Sequence, residues 1–239
     1  SKLKSVPAMM MLKTKLLPCI LFALLPLGVA AQGFSGYNWY FGSSPQGIRF
    51  SRSTDSATLV NNQAIPFGAG GSAVASDQVN GNLLFYTDGD NIFDVSHAIM
   101  PNGTGLGANT SGNQPVAIAK VPGQTTQYYV FVNNANFTAG GSISFRIVDM
   151  ALFGNAVFPT PALGDATTAA NTAVPGLTGT SEAMITIPHT NGDDFWLITQ
   201  VNGSADYRVT LFTPAGPTTT TTFSGLGLIQ VAANFSYHP

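Results

Sequence analysis

One pattern, written three times along the chain, constrains its fold more than any other feature of the sequence. Short runs of aromatic and β-branched residues occur as NLLFYTD at 82–88, QYYVFVN at 127–133 and DFWLITQ at 194–200. Each run follows a polar turn that contains glycine, and a further apolar segment of strand length lies on either side of it. A unit of three such strands that repeats every ~40–70 residues is typical of β-propeller blades. The repeat therefore predicts an all-β, β-propeller-like fold.

The flanking segments extend this prediction to most of the chain. Further strands are predicted at 38–41, 47–50, 72–76, 91–95, 115–121, 142–148, 182–188 and 207–212. Asp88-Gly89 predicts a hairpin turn, because both residues accept a positive φ. Residues 156–180 predict a spacer that is either extended or a surface loop, with an edge strand at 157–159, and residues 226–233 predict the start of a fourth unit. We therefore expect about three to four blades of antiparallel strands in an incomplete propeller, the alternative being a small closed ring.

The N-terminal segment has the composition of a secretory signal peptide. Lys13 and Lys15 precede an apolar stretch of 14 residues, LLPCILFALLPLGV, and small residues follow up to Ala31. The stretch is shorter than the ~20 residues that a membrane-spanning helix needs. We expect a signal-peptide helix within residues 1–31 and cleavage near Ala31. The mature domain is then residues 32–239, without a membrane span, secreted or held at the cell surface.

Cleavage at that point changes the charge and the chemistry of the chain. Four of the nine Lys and Arg residues lie within residues 1–31, which leaves five basic against 11 acidic residues and a net charge of −6. This balance offers no basic face to nucleic acid. Cys19, the only cysteine, lies in the same segment, so the mature domain has no thiolate chemistry. Lys120 and Glu182 are its only lysine and glutamate, which keeps helix propensity low.

Six motifs follow one another along the mature domain. They are NWYFG at 38–42, GNLLFYTDG at 81–89, HAIMPNG at 97–103, VPGQTTQYYVF at 121–131, VDM at 148–150 and HTNGDDFW at 189–196. In this order they resemble the N-terminal propeller-like region of large surface proteins of the Bacteroidota. That family uses the type IX secretion system and includes gliding-motility-associated and PKD-domain proteins. The resemblance implies a piece of a larger surface protein, with further blades after it, and says little about activity.

Three acidic residues lie close together in the hairpin sequence TDGDNIFD. Asp88, Asp90 and Asp94 carry the hard oxygen ligands that Ca²⁺ prefers. The glycine comes too early for an EF-hand loop, and no glutamate follows at the closing position. A calcium site on these three residues is one hypothesis, and a hairpin turn with solvated carboxylates is the other. We expect no other cofactor.

The remaining titratable residues allow a catalytic and a structural interpretation. His97 and His189 lie beside predicted turns without the spacing of a metal site, so we expect hydrogen-bonded residues at strand ends. Glu182 is the sole glutamate and begins a predicted strand. With Asp193 or Asp194 it could form the carboxylate pair that glycoside hydrolysis needs. The structural interpretation is that Glu182 joins neighbouring blades through hydrogen bonds.

Aromatic residues are the last group that suggests a function. Eight of them occur in adjacent pairs, so that one ring of each pair faces inward and the other outward: Trp39, Tyr40, Phe85, Tyr86, Tyr128, Tyr129, Phe195 and Trp196. Packing between blades accounts for most of these rings, and outward rings on a rim can stack on sugars. We expect a non-enzymatic binding or adhesion module that presents loops 102–115 and 133–141 to glycan or protein. The alternatives are a glycan-degrading enzyme and a structural spacer.

Overall fold

The computed structural model describes residues 36–41, 45–51, 53–61, 71–136 and 138–227. These residues belong to the second of two compact units into which the chain divides, residues 32–239. The predicted signal-peptide helix lies outside the described residues, as does the predicted fourth unit beyond residue 227.

The described residues are all-β, as the sequence predicts. Polar connections rich in glycine and asparagine separate short strands of β-branched and aromatic residues. The strands are β1 (Asn38–Tyr40), β2 (Gln46–Ser51), β3 (Ser56–Asn61), β4 (Ala73–Ser76), β5 (Leu83–Thr87), β6 (Ile92–Asp94), β7 (Val116–Lys120), β8 (Gln127–Asn133), β9 (Gly141–Asp149), β10 (Asp165–Ala166), β11 (Thr172–Pro188), β12 (Phe195–Val201), β13 (Tyr207–Thr213), β14 (Gly216–Pro217) and β15 (Thr221–Phe223).

The strands form three antiparallel sheets that follow the chain order. The first sheet is β1-β2-β3 and the second is β4-β5-β6. The third has nine strands, with the path β14-β13-β12-β11-β9-β8-β7 and with β10 and β15 paired to β9 and β13. Within this sheet, β7–β9 and β11–β13 correspond to the second and third repeats of the sequence, and β11 hydrogen-bonds to both.

Three hydrophobic cores separate these layers. Core A lies between the first and second sheets and includes Tyr40, Tyr86 and Phe93. Core B lies between the second sheet and β7–β9, and it includes Phe85 and Val130. Core C lies between β7–β9 and β11–β13, where it includes Phe131 and Phe212. Each layer therefore packs on the layers that precede and follow it in the chain.

Strand β8 shows how the sequence builds two cores at once. Tyr128, Val130 and Val132 point into core B. Tyr129 and Phe131, which alternate with them, point into core C. Successive side chains of a strand face opposite sides of a sheet, so a strand that is apolar at every position can be buried only between two layers. The continuous run QYYVFVN is explained by this double burial.

Two expectations for residues 156–180 are wrong. Residues 157–159 form a loop and not an edge strand, and Pro159 and Pro161 cannot donate to a strand ladder. Strand β11 begins at Thr172, inside the expected spacer, although it contains Pro175 and Gly176. Register shifts between Ala173 and Thr178 and between Thr178 and Thr180 accommodate these residues, because a bulge needs no regular pairing. This strand also joins two expected blades into one sheet, so the described strands do not separate into individual blades.

Candidate functional site

The structure holds two of the three aspartates of the expected calcium site in local hydrogen bonds. Asp88 accepts from the backbone N–H groups of Asp90 and Asn91, at 2.9 and 2.7 Å, and so closes the hairpin turn between β5 and β6. Asp94 is fully buried and accepts from Ser96, Ala98 and Asn155. Asp90 is exposed. Among the described residues no three acidic, histidine or cysteine side chains form a group that could hold a metal, so the geometry adds no support to the calcium hypothesis.

The carboxylates of the catalytic alternative lie at opposite ends of the β11–β12 hairpin. Glu182 is buried and its Oε2 accepts from the backbone and side-chain nitrogens of Asn113, at 3.3 and 2.7 Å. Asp194 directly precedes Phe195, which pairs with Pro188. Six residues of strand, roughly 20 Å at 3.3 Å each, separate that end from Glu182. Glycosidase carboxylates lie about 5–9.5 Å apart, so the structure does not bring this pair together.

Asp193 is occupied by a structural contact of its own. Both oxygens of its carboxylate accept from the backbone N–H of Gly123, at 3.0 and 2.8 Å, in the turn between β7 and β8. Asp194 accepts from the side-chain amide of Asn191 at 2.8 Å. Glu182 and Asp193 therefore join segments of neighbouring repeats, in agreement with the structural interpretation of Glu182, whereas Asp194 is bonded within its own turn.

Both histidines take part in hydrogen bonds beside turns, as the sequence predicts. The Nδ1 of His97 lies 3.0 Å from the hydroxyl of Tyr86, a fully buried residue of core A. The Nδ1 of His189 accepts from the backbone N–H of Asn191 at 3.2 Å, and its ring centroid lies 5.7 Å from that of Trp196. His97 follows β6 and His189 follows β11, strands of different sheets, and the two residues do not meet in a metal site.

The environment of His97 makes stability depend on pH. Burial lowers the pKa of His97 below 6.5, and the negative charge of Asp94 only partly opposes this effect. The unfolded chain therefore binds a proton at a higher pH than the folded chain does. Stability is present above the unfolded pKa and is lost as the pH falls through the folded pKa. We expect the Tm to fall between about pH 7 and pH 5, and His97→Gln to flatten that slope; an unchanged slope in the variant would contradict this assignment.

Six of the eight paired aromatic residues are core residues. Tyr40, Phe85, Tyr86, Tyr128, Tyr129 and Phe195 are buried, which confirms packing as the main role of the set. Trp196 is half-buried on the far side of β12 from core C. Trp39 is 52% exposed and contacts Phe50 edge-on at 5.7 Å on the outer face of the first sheet. Only these two tryptophans face away from the three cores.

The first part of loop 102–115 is held by buried side chains of the third sheet. Arg146 of β9 donates to the carbonyls of Asn102 and Thr104, each at 2.9 Å, and to that of Gly105 at 3.4 Å. Asp165 accepts from the backbone and side-chain nitrogens of Asn102. Burial lowers the pKa of the Arg146 guanidinium, whose N–H groups donate to these backbone carbonyls. The guanidinium of Arg146 and the carboxylate of Asp165 thus hold the first part of this loop against the third sheet.

Among the connections that the structure describes, the one between β9 and β10 exposes the most apolar surface. This connection, residues 150–164, is called the apolar loop below. Leu152, Phe153, Val157 and Phe158 are all exposed there, Val157 at 76% and Phe158 at 82%. No charged residue occurs between Asp149 and Asp165. Large apolar side chains grouped on a surface mark an interaction site more often than the same residues scattered singly.

Backbone hydrogen bonds hold the apolar loop in one shape. The N–H groups of Leu163 and Gly164 donate to the carbonyls of Phe153 and Leu152, at 3.2 and 2.9 Å. Asn155 anchors the tip, since its amide donates to Asp94 at 2.8 Å and to the carbonyl of Ile99 at 2.9 Å. Gly154 has a φ of 58°, and a Cβ there would collide with the carbonyl oxygen of Gly164. A loop ordered before binding loses little entropy when a partner covers it.

Sequence reasoning assigned residues of this loop to a spacer or surface loop and missed it as a site. The available signal was the run LFGNAVFPTPAL, which is uncharged and apolar yet contains too many turn residues for a buried strand. An apolar run that cannot enter a core must be exposed.

No helix among the described residues is long and apolar enough to cross a membrane. Comparison of the chain with protein-family profiles, with curated proteins and with solved structures finds no significant match.

Proposed function

We propose that this chain is a non-enzymatic binding or adhesion module of a secreted or cell-surface protein, and that the apolar loop is its contact surface. The observation that carries the proposal is the ordered display of Leu152, Phe153, Val157 and Phe158 to solvent. These side chains contribute nothing to the three cores, so packing does not explain them. The signal-peptide pattern and the resemblance to Bacteroidota surface proteins support the location and a larger parent protein.

The chemistry of the apolar loop favours a protein partner. Its tip offers two phenyl rings and two aliphatic side chains, while the amide of Asn155 is already engaged within the chain. Glycan recognition combines ring stacking with many hydrogen bonds, which this tip does not offer. An apolar pocket or groove on another protein gains from burying such anchors, as interface hot spots do. Glycan binding is the second candidate, and the half-exposed Trp39 beside Phe50 favours it.

We also propose that the layers form an arc of a β-propeller. Support comes from the leading strand of each repeat, since β1 lies beside β4, β4 beside β7, and β7 beside β11. Leading strands that neighbour one another in chain order are expected around the axis of a propeller. Loops at one rim of such an arc are displayed together, which suits a binding module.

The double substitution Phe153→Ser/Phe158→Ser tests the contact surface. Purified protein is assayed for saturable retention on immobilised collagen, fibrinogen and fibronectin and on insoluble cellulose and chitin. We expect saturable binding to a protein surface and at least about tenfold weaker binding by the double variant, because two buried anchors each contribute more than 1 kcal/mol. Val79→Ser is the matched control, since Val79 is 83% exposed on a different turn.

The outcomes separate the candidate functions. Equal binding by the loop variant and the wild-type protein would contradict the assignment of the apolar loop. Retention on polysaccharide that is lost in Trp39→Ala would favour the glycan candidate. New reducing ends released from the polysaccharide would favour an enzyme.

A further inference from the structure

The outer face of β12 and β13 carries a row of apolar side chains that no described layer covers. Phe195, Leu197 and Phe212 point inward to core C. The residues that alternate with them line a groove of about 540 Å³, together with side chains of the chain after β13. The lining residues are Trp196, Ile198, Val209, Leu211, Thr218, Thr219, Thr221 and Phe223. None of them is charged, and this cavity is called the Trp196 groove below.

The other repeats show what covers a face of this kind. Strand β5 sends Tyr86 into core A and Phe85 into core B, and β8 fills cores B and C in the same alternating way. Strand β12 has the same composition, and its alternate residues reach only one core within the described part of the chain. The repeat therefore leaves one face of β12 ready for a further layer.

The described chain ends at the edge of this groove. Thr221 and Phe223 of β15 line it. The N–H of Gly227 donates to the carbonyl of Ala205 at 3.1 Å, just before β13 begins. Residues 228–233 follow, with the sequence LIQVAA. Six residues in a strand extend roughly 20 Å, which nearly matches the seven residues of β12.

The leading strands of earlier repeats indicate which side chains would face the groove. In β4, Val74 points back into core A while Ala73 and Ala75 point forward into core B. In β7, Val116 and Ile118 point back into core B and Ala117 and Ala119 point forward into core C. In β11, by contrast, Met184 points back into core C, while Ile185 and Ile187 pair with Ile198 and Trp196 on the opposite face. In each case alternate residues divide between two layers. In LIQVAA the same alternation would place Ile229 and Val231 on one face and Gln230 on the other, and the apolar groove would take the face without the glutamine.

We propose that residues 228–233 form the leading strand of a further layer, which docks on the Trp196 groove through Ile229 and Val231. This strand closes a fourth core in which Trp196 takes the place that Tyr129 takes in core C. The face is an intramolecular docking surface, distinct from the apolar loop.

Tryptophan fluorescence of the full chain tests the docking. The chain has two tryptophans, so Trp39→Phe leaves Trp196 as the only indole. Quenching by acrylamide is compared among this parent, Ile229→Asp/Val231→Asp, and the matched control Gln230→Asp. We expect the quenching constant to rise about twofold or more in the double variant, as the indole becomes accessible. Gln230→Asp should match the parent, because its side chain faces away from the groove.

Two results would overturn the proposal. One is equal quenching in all three proteins. The other is protection of Trp196 that depends on protein concentration, which would assign the groove to a second copy of the chain.

A second measurement tests the docking even if the aspartate variants unfold. Ile198→Cys/Val231→Cys is prepared with Cys19→Ser and treated with a short bis-maleimide. We expect a cross-link within one chain, identified by mass spectrometry. Cross-links only between chains, or none, would overturn the docking.

Discussion

Phe131→Ala is expected to lower the free energy of unfolding by about 3–5 kcal/mol, the range for truncating a buried phenylalanine. The ring is fully buried at the centre of core C. Its centroid lies 5.1 Å from that of Phe212, 5.5 Å from that of Tyr129 and 5.9 Å from that of Phe195. Alanine would leave a cavity lined by these rings, and rings fixed by one another cannot collapse into it.

Urea unfolding monitored by circular dichroism measures this loss. Phe158→Ala is the matched control, because it removes the same atoms from a side chain that is 82% exposed. We expect the control to stay within about 0.5 kcal/mol of the wild-type protein. Similar losses in the two variants would mean that core C does not carry the stability of the domain.

Arg146→Met is expected to cost about 3 kcal/mol and to release loop 102–115 from the sheet. Methionine retains much of the apolar volume but has no donor for the carbonyls of Asn102, Thr104 and Gly105. A buried acceptor left without a partner costs about 1–3 kcal/mol. The variant also removes a buried charge, and the desolvation cost that is thereby avoided offsets part of the loss in stability.

Limited proteolysis together with urea unfolding separates the two effects of this variant. We expect new cleavage between residues 102 and 107 in Arg146→Met under native conditions. Arg49→Met serves as the control, since the guanidinium of Arg49 donates an exposed hydrogen bond to Asn82. The side-chain amide of Asn171 also donates to the loop, to the carbonyl of Leu106 at 2.6 Å. Unchanged proteolysis of the loop in Arg146→Met would show that Asp165 and Asn171 hold it without the arginine.

The strands were predictable where both faces of a strand are buried, because such a strand is apolar at nearly every position. QYYVFVN at 127–133 coincides with β8, and the runs at 82–88 and 194–200 lie within one residue of β5 and β12 at either end. The first half of β11 was not predictable in this way, because its sequence TAVPGLTG carries Pro175 and two glycines. This segment is a strand because it pairs with the edge of β9, and that tertiary pairing overrides the low strand propensity of its proline and glycines.

The candidate site was less predictable than the fold. The sequence singles out Glu182 and Asp193 as carboxylates, but the distance between them depends on which end of a hairpin each occupies. The sequence identifies the aromatic pairs, but only the packing of the layers determines that Phe85 is buried and that Trp39 is exposed. The way the apolar loop is held was not predictable from its own residues, because Asn155 is bonded to Asp94, a contact between residues 61 positions apart.

The order of the three cores along the chain has a consequence for the way this protein is made. Among the described residues, core A contains none beyond Ile99, core B none beyond Ala166 and core C none beyond Phe212. A chain that emerges with its N-terminus first can therefore complete each core before the last residues of the next one have left the ribosome or a translocation pore. The apolar face of each layer is then exposed only until the next layer has emerged, which limits the time in which nascent copies can aggregate.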